Sequence, residues 1–410
     1  MSSYTRNHYV PKWYQKLFLG QNQKFYYLDL KPDLINTIGG KRIYRRSIRE
    51  LGPVNCFCKD DLYTLNFLGL KNKEIESSFF GEIDLEGKKG LLALLDLEST
   101  LNFSNIHKYI SSFMIYMSVQ KLRTPKGLLY LEKHIKSKDT NETLIAMRRL
   151  SRMHCAIWSE CVWSILDASE SETKFIISDH PVTVYNSKYF PASKYCREFI
   201  DPDIWLNGTY TIFPLSLNKL LILTNLSWVR NPYGKPKKER PHPDLFRPAF
   251  FRYDHIHMGR KLSENEVIQF NYIIKKRAQR YIAAIEKEWL TPENDIKVKK
   301  WDHFCKSYLL MPDPRSVPFI SGMMMGFKDG SSDGYDEYGR NRIHKEYDNQ
   351  KLRDKEWHSF CAFKGEFARK FGSKRRGFIY ELNGECEKED SPEMHQHYLI
   401  SESVHKEKMK

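Results

Sequence analysis

Apolar residues recur at helical spacing over several long stretches of the chain and at strand spacing over shorter ones. Ile110, Phe113, Met114 and Met117 form one stripe of a helix predicted over 107–123, the i, i+3, i+4, i+7 pattern of an element with one buried face. Residues 74–95 also read as a helix, interrupted or bent near Gly81 and Gly87, because glycine weakens a helix interior. Asp139 with Glu142 three residues later marks a helix start. That helix is expected to run to about Leu166, burying Leu150, Ile157 and Cys161, with His154 on the apolar side as a core histidine. Ser263-Glu264-Asn265-Glu266 is a capping box, opening a helix expected to reach about Glu288. Its apolar face would be Val267, Phe270, Ile274, Ala278, Tyr281, Ile282 and Ile285, and Asn271 within that face needs buried partners.

Other runs, at 24–30, 174–178, 182–185, 209–213 and 220–224, are short, rich in β-branched or aromatic residues and bounded by turn residues. Such runs are strands. Together these elements predict an α+β fold, a mainly helical core with a small, largely antiparallel sheet. Past Thr291 the periodicity weakens and the composition turns polar and glycine-rich. A main domain over 1–295 and an appended segment over 296–410, its end flexible, are therefore expected.

Charge changes the picture more than composition does. The 410 residues carry a formal charge of +15, which attracts polyanions, and RNA or DNA are the commonest of these. Two clusters are candidate nucleic-acid contacts: Lys41, Arg42, Arg45, Arg46 and Arg49, and the helical trio Arg148, Arg149 and Arg152. The trio reads equally as a solvated helix face. No stretch approaches the roughly 18 apolar residues of a membrane span, and no apolar leader follows Met1. Eight irregularly spaced cysteines suggest reduced thiols. A soluble cytoplasmic protein without a membrane partner is expected.

Several familiar sites are excluded. Residues 329–334 begin like a calcium loop, but its twelfth position, which must supply a carboxylate, is Arg340. Walker-type glycine loops, dinucleotide fingerprints and nucleophile elbows are missing. His255-Ile256-His257 has a spacing that some metal sites use, without an acidic neighbour in sequence.

An ordered series of motifs is more specific. It runs Asn7-His8-Tyr9-Val10-Pro11-Lys12-Trp13-Tyr14-Gln15-Lys16-Leu17-Phe18, then Asp60-Asp61-Leu62-Tyr63-Thr64, then Glu76 and Glu86. Gln120-Lys121-Leu122-Arg123-Thr124-Pro125, Ser178-Asp179-His180-Pro181-Val182 and Phe213-Pro214-Leu215-Ser216 complete it. Over about residues 7–285 the chain resembles the HYVP-type bacterial family known as domain of unknown function 4238 (DUF4238). It departs at His180, where members commonly have Asn before the proline. The resemblance implies a bacterial accessory protein, some of whose relatives fit a role in phage defence, and it implies no particular reaction.

The residues suggest chemistry of their own. His8 resembles the leading histidine of some nuclease motifs, as general base or metal ligand; its other reading is a lock for the N-terminal segment. Glu76 and Glu86 would point about 80° apart on a continuous helix, near enough to border one cleft. Gln120 and Arg123 share a polar stripe suited to orienting a phosphate, and Asp179 at a strand end is where a catalytic acid would be exposed. A phosphodiester-cleaving enzyme follows, a defence effector or toxin, with His8, Glu76, Glu86, Gln120, Arg123 and Asp179 as its catalytic set and a divalent cation such as Mg2+ as cofactor. Its rivals are a non-catalytic nucleic-acid-binding protein and an enzyme acting on a small nucleotide-like anion.

Overall fold

The computed structural model describes residues 6–36, 42–60, 62, 65–67, 70–72, 80–101, 103–135, 140–191, 193, 196, 201–239, 251–319 and 322–372. The chain forms two compact units. One comprises Met1–Trp205, Thr209–Leu223 and Leu245–Leu310, the other Leu206–Gly208, Thr224–Asp244 and Met311–Lys410.

In the first unit, helices Gly81–Thr100 and Phe103–Leu122 pack as an antiparallel pair. Gly87 and Gly90 do not bend the first of them. A Cβ at Gly87 would lie 2.3 Å from the Tyr116 Cβ, and one at Gly90 would lie 2.6 Å from the Phe113 Cβ. The glycines let the two backbones approach, and even a methyl side chain would clash there. Gly87→Ala is expected to destabilise the protein by about 2–3 kcal/mol, as overpacking does. Chemical denaturation measures this, and an unchanged midpoint would show that the helices can separate at no cost.

A four-stranded and a five-stranded sheet, with smaller two-stranded ones, accompany the helices, and the fold is α+β. One sheet orders its strands Ile177–Ser178, Tyr281–Ala284, Phe25–Asp29 and Ile48–Leu51, all antiparallel. The other runs Thr183–Tyr185, Tyr210–Pro214, Lys219–Asn225, Cys161–Asp167 and Ile256–Lys261, with a parallel pairing between the last two. Ile176, Ile274, Ala278, Ile282, Ala284 and Leu290 make one core cluster, and Phe80, Val119, Leu122, Leu131 and Met147 another.

Two helices are shorter than their apolar patterns suggest. The helix beginning at Thr140 ends at Ser159, and Cys161–Asp167 continues as a strand with all seven residues buried. A strand covered on both faces is a continuous apolar run, which periodicity cannot distinguish from buried helix. The capping box at Ser263 is present, but its helix, Glu264–Arg277, stops eleven residues before Glu288. The stop is tertiary. The Asp179 carboxylate accepts the backbone N–H groups of Gln279, Arg280 and Tyr281 at 2.9, 2.7 and 2.9 Å. Tyr281–Ala284 then pairs between two strands. Asn271 has the partners its position demands, accepting from the Ile176 amide at 3.1 Å and donating to the Lys174 carbonyl at 2.8 Å.

The division between units differs from the expected boundary near 295. The first unit extends to Leu310 because Trp301 and Phe304 pack on Tyr185, with ring centroids 4.9 and 6.2 Å away. In the second unit, Arg230 of the short helix Leu226–Arg230 is fully buried and paired with Glu337. Its guanidinium lies 4.6 Å from the Phe319 ring centre. Arg340, which spoils the calcium-like loop, is also buried and pairs with Asp336 and Glu356. Among the described residues no helix is long and apolar enough to cross a membrane.

Candidate functional site

The HYVP segment is tied to the Phe103–Leu122 helix. Gln120, fully buried, donates to the Tyr9 carbonyl at 2.9 Å and accepts from the Arg123 Nε at 2.9 Å. Arg123 is 2% exposed, pairs with Asp84 at 2.8 Å and sits over the rings of Phe80 and Tyr116. Folding thus joins Tyr9, Gln120 and Arg123 in one buried polar contact. His8, at the end of strand Arg6–His8, is half-buried with its Nε2 3.1 Å from the Val54 carbonyl oxygen.

The remaining candidates are differently placed. Glu86 pairs with Lys89 on its own helix at 2.6 Å, and Glu76 and Lys41 lie outside the described residues. Asp179 is buried, and its two oxygens serve the three amides that end the Glu264–Arg277 helix. Arg42, Arg45, Arg46, Arg148, Arg149 and Arg152 are exposed, while Arg49 is half-buried with its guanidinium 5.9 Å from the Tyr27 ring centre. Among the described residues no group of three or more His, Cys, Asp or Glu side chains is placed to hold a metal ion.

A second polar cluster, one residue further along the same motifs, lines a recess. The Phe103–Leu122 helix ends beside Pro125–Ile135, whose first turn is capped by Thr124: the Gly127 amide donates to Thr124 Oγ1 at 3.1 Å. Proline at the first helical position loses no hydrogen bond there. Around this corner Asp201 collects cations. Its Oδ1 is 2.6 Å from Lys126 Nζ and 3.9 Å from Arg277, and its Oδ2 is 3.1 Å from Lys121 Nζ. Lys126 also donates to the Arg277 carbonyl at 2.8 Å.

His180 completes the cluster, with Nδ1 2.8 Å from Thr124 Oγ1 and Nε2 3.0 Å from Asp201 Oδ2. A carboxylate only accepts, so His180 carries its proton on Nε2 and takes the threonine hydroxyl on Nδ1. Burial and the Lys121 charge push His180 down to about 3, against the pull of Asp201. His154 nearby, 2.8 Å from Ser118 Oγ, is pushed to about 3 by burial and then by Lys121. Both imidazoles are neutral at physiological pH. Burial alone would raise Asp201, but Lys126 and Lys121 hold it well below the usual carboxylate range. Burial lowers Lys126, and Asp201 offsets only part of that.

The recess beside this cluster contains about 480 Å³ of space, part of it open to solvent. It is lined by the buried Lys121, Lys126 and His180 and by the half-buried Tyr130, Asp203 and Trp205. Lys121, Lys126 and Arg277 share the Asp201 carboxylate, and Lys126 is also within electrostatic reach of the buried Asp179.

Residues 131–288 match the family model described as "Protein of unknown function (DUF4238)". Over that segment the chain is similar to the DUF4238 family. The DUF4238 match contains His154, His180, Asp201 and Arg277, whereas the HYVP motif, Lys121, Thr124 and Lys126 precede it. No curated protein and no solved structure matches the chain significantly. Sequence reasoning passed over Lys121 and His180 although both stand inside quoted motifs. Asp201 and Arg277 belong to no motif, and only folding brings them there.

Proposed function

We propose that the first unit binds a small anionic molecule in the recess, a phosphate or similar oxyanion approaching Lys121 and Lys126. The observation that carries this reading is the pair of buried ammonium groups, Lys121 and Lys126, that line the recess and share one carboxylate, Asp201. A ligand oxyanion in the recess adds charge-assisted hydrogen bonds to those ammonium groups. Gln120, Arg123 and Asp179 already have buried partners within the chain, so the recess is the better place for a ligand.

Inorganic phosphate is expected to raise the melting temperature of the intact protein, because a ligand that binds only the folded state stabilises it by mass action. Lys121→Met and Lys126→Met should each abolish that rise, while Arg148→Gln with Arg149→Gln on the exposed helix face leaves it intact. No rise in the parent protein, or an equal rise in all variants, would overturn the reading.

A second reading rests on the hairpin of strands Leu34–Asn36 and Arg42–Tyr44. Arg42, Arg45 and Arg46 are exposed around Tyr44, itself 71% exposed, the mixture of cations and aromatic faces that suits single-stranded nucleic acid. Gel-shift and cleavage assays with RNA and DNA in the presence of Mg2+ address it. Retention lost in the triple Arg→Glu variant supports binding, and fragmentation lost in His8→Ala supports phosphodiester cleavage. Intact, unretarded nucleic acid removes both.

A further inference from the structure

The strand pair Phe25–Asp29 and Ile48–Leu51 is followed along the chain by the hairpin Leu34–Asn36 and Arg42–Tyr44. Arg280 fastens the base of that hairpin, pairing with Asp29 at 2.9 Å and with Asp33 at 2.8 Å. Beyond this anchor the hairpin pairs with no other strand among the described residues. All its strand residues are exposed. Leu34, Ile35, Ile43 and Tyr44 are large and apolar, each at least 40% exposed. The register sets Leu34 opposite Tyr44 and Ile35 opposite Ile43. Side chains alternate between the two faces of a strand, so one face shows Leu34 with Tyr44 and the other Ile35 with Ile43. Arg42, Arg45 and Arg46 are exposed around them, while Arg280 already matches the acids at the base.

Single exposed apolar residues are ordinary, but a cluster of them rimmed by charge marks a contact surface. Here the cluster occupies both faces of one ribbon. Stacked bases or a protein groove cover one face and leave the other in water. Nucleic acid thus uses the arginines and Tyr44 but gives Ile35 and Ile43, on the opposite face, nothing to bury against. A lipid interface surrounds both faces at once, takes aliphatic side chains into its acyl boundary and presents phosphates to arginine. A tyrosine, apolar in its ring and polar at its tip, suits the headgroup level. We propose that this hairpin docks on the surface of an anionic membrane. Leu34, Ile35 and Ile43 enter the acyl boundary, Tyr44 lies among the headgroups, and Arg42, Arg45 and Arg46 engage the lipid phosphates. Such peripheral docking needs no spanning helix, and it is independent of the anion-binding reading of the recess.

Co-sedimentation of the intact protein with vesicles tests this, using phosphatidylcholine alone and phosphatidylcholine with phosphatidylserine in equal parts. The protein should pellet with the anionic vesicles and stay in solution with the neutral ones. Arg42→Gln, Arg45→Gln and Arg46→Gln together should weaken the binding about a hundredfold, as the loss of three cations near a charged membrane does. Leu34→Ser, Ile35→Ser and Ile43→Ser together should weaken it about tenfold or more, through lost apolar burial. Both variants change exposed residues only, so their melting curves should match the parent's, which separates loss of contact from loss of fold. A parent protein that ignores anionic vesicles would overturn the proposal. Binding lost in the arginine variant but kept in the serine variant would overturn it too, because the contact would then be electrostatic alone. The same two variants, tested for retention of single-stranded RNA, identify the rival: RNA held by the parent and the serine variant, with no vesicle binding, makes the hairpin a nucleic-acid contact and sinks the membrane one.

Discussion

Lowering the pH from about 6.5 to 4.5 is expected to destabilise the first unit by about 5 kcal/mol. The source is the pair of buried imidazoles, His154 and His180, each with its folded-state value near 3. In the unfolded chain a histidine takes its proton near 6.5. Between these values the unfolded state binds about two protons that the folded state refuses. Stability is therefore fully present above 6.5 and is lost as pH falls toward 3, at about 1.4 kcal/mol per histidine per pH unit. Asp201, held low, adds a further loss only below the ordinary carboxylate range, whereas burial raises Asp179, whose uptake of a proton in the fold offsets part of the loss as pH falls. Hydrogen exchange of amides in the Cys161–Asp167 strand, corrected for intrinsic rate, reads the opening free energy at each pH. His154→Gln, which keeps a partner for Ser118, should roughly halve the slope. A flat profile between 6.5 and 4.5 would mean that the two rings are charged in the fold.

The other large effect belongs to Asp179. Asp179→Ala should cost about 3–4 kcal/mol, because three amides lose a charged acceptor in a partly buried turn. Asp179→Asn, which keeps one carbonyl oxygen, should cost about half as much. Both are read from the same exchange measurement. If Asp179→Ala instead abolishes an activity and leaves stability untouched, its carboxylate works on a substrate and the turn is held by other means. Loss of activity and stability together would trace to the helix end.

Local sequence carried the elements well and their ends poorly. The stripe Ile110, Phe113, Met114 and Met117 is buried as its spacing implies, and the Ser263 capping box is in place. Both are properties of a few adjacent residues. The ends at Ser159 and Arg277 are set by strand pairing and by Asp179, a hundred residues from the turn it closes. Gly87 looked like a bend because a sequence cannot show Tyr116 against it. The candidate site followed the same rule. His8, Gln120, Arg123 and Asp179 stood out as motif residues of reactive type, and the structure gives the last three buried partners within the chain. The cation cluster around Asp201 is drawn from three separate segments, and no single stretch of sequence contains it.

The Arg277 carbonyl that receives Lys126 lies four residues from the last amide that Asp179 holds. One short peptide run is thus pinned from two directions, by an acid on one side and an ammonium on the other. Releasing either pin hands slack to its neighbour, so a change made to firm up the scaffold would retune the recess, and emptying or filling the recess would be felt in how firmly the following strand is seated.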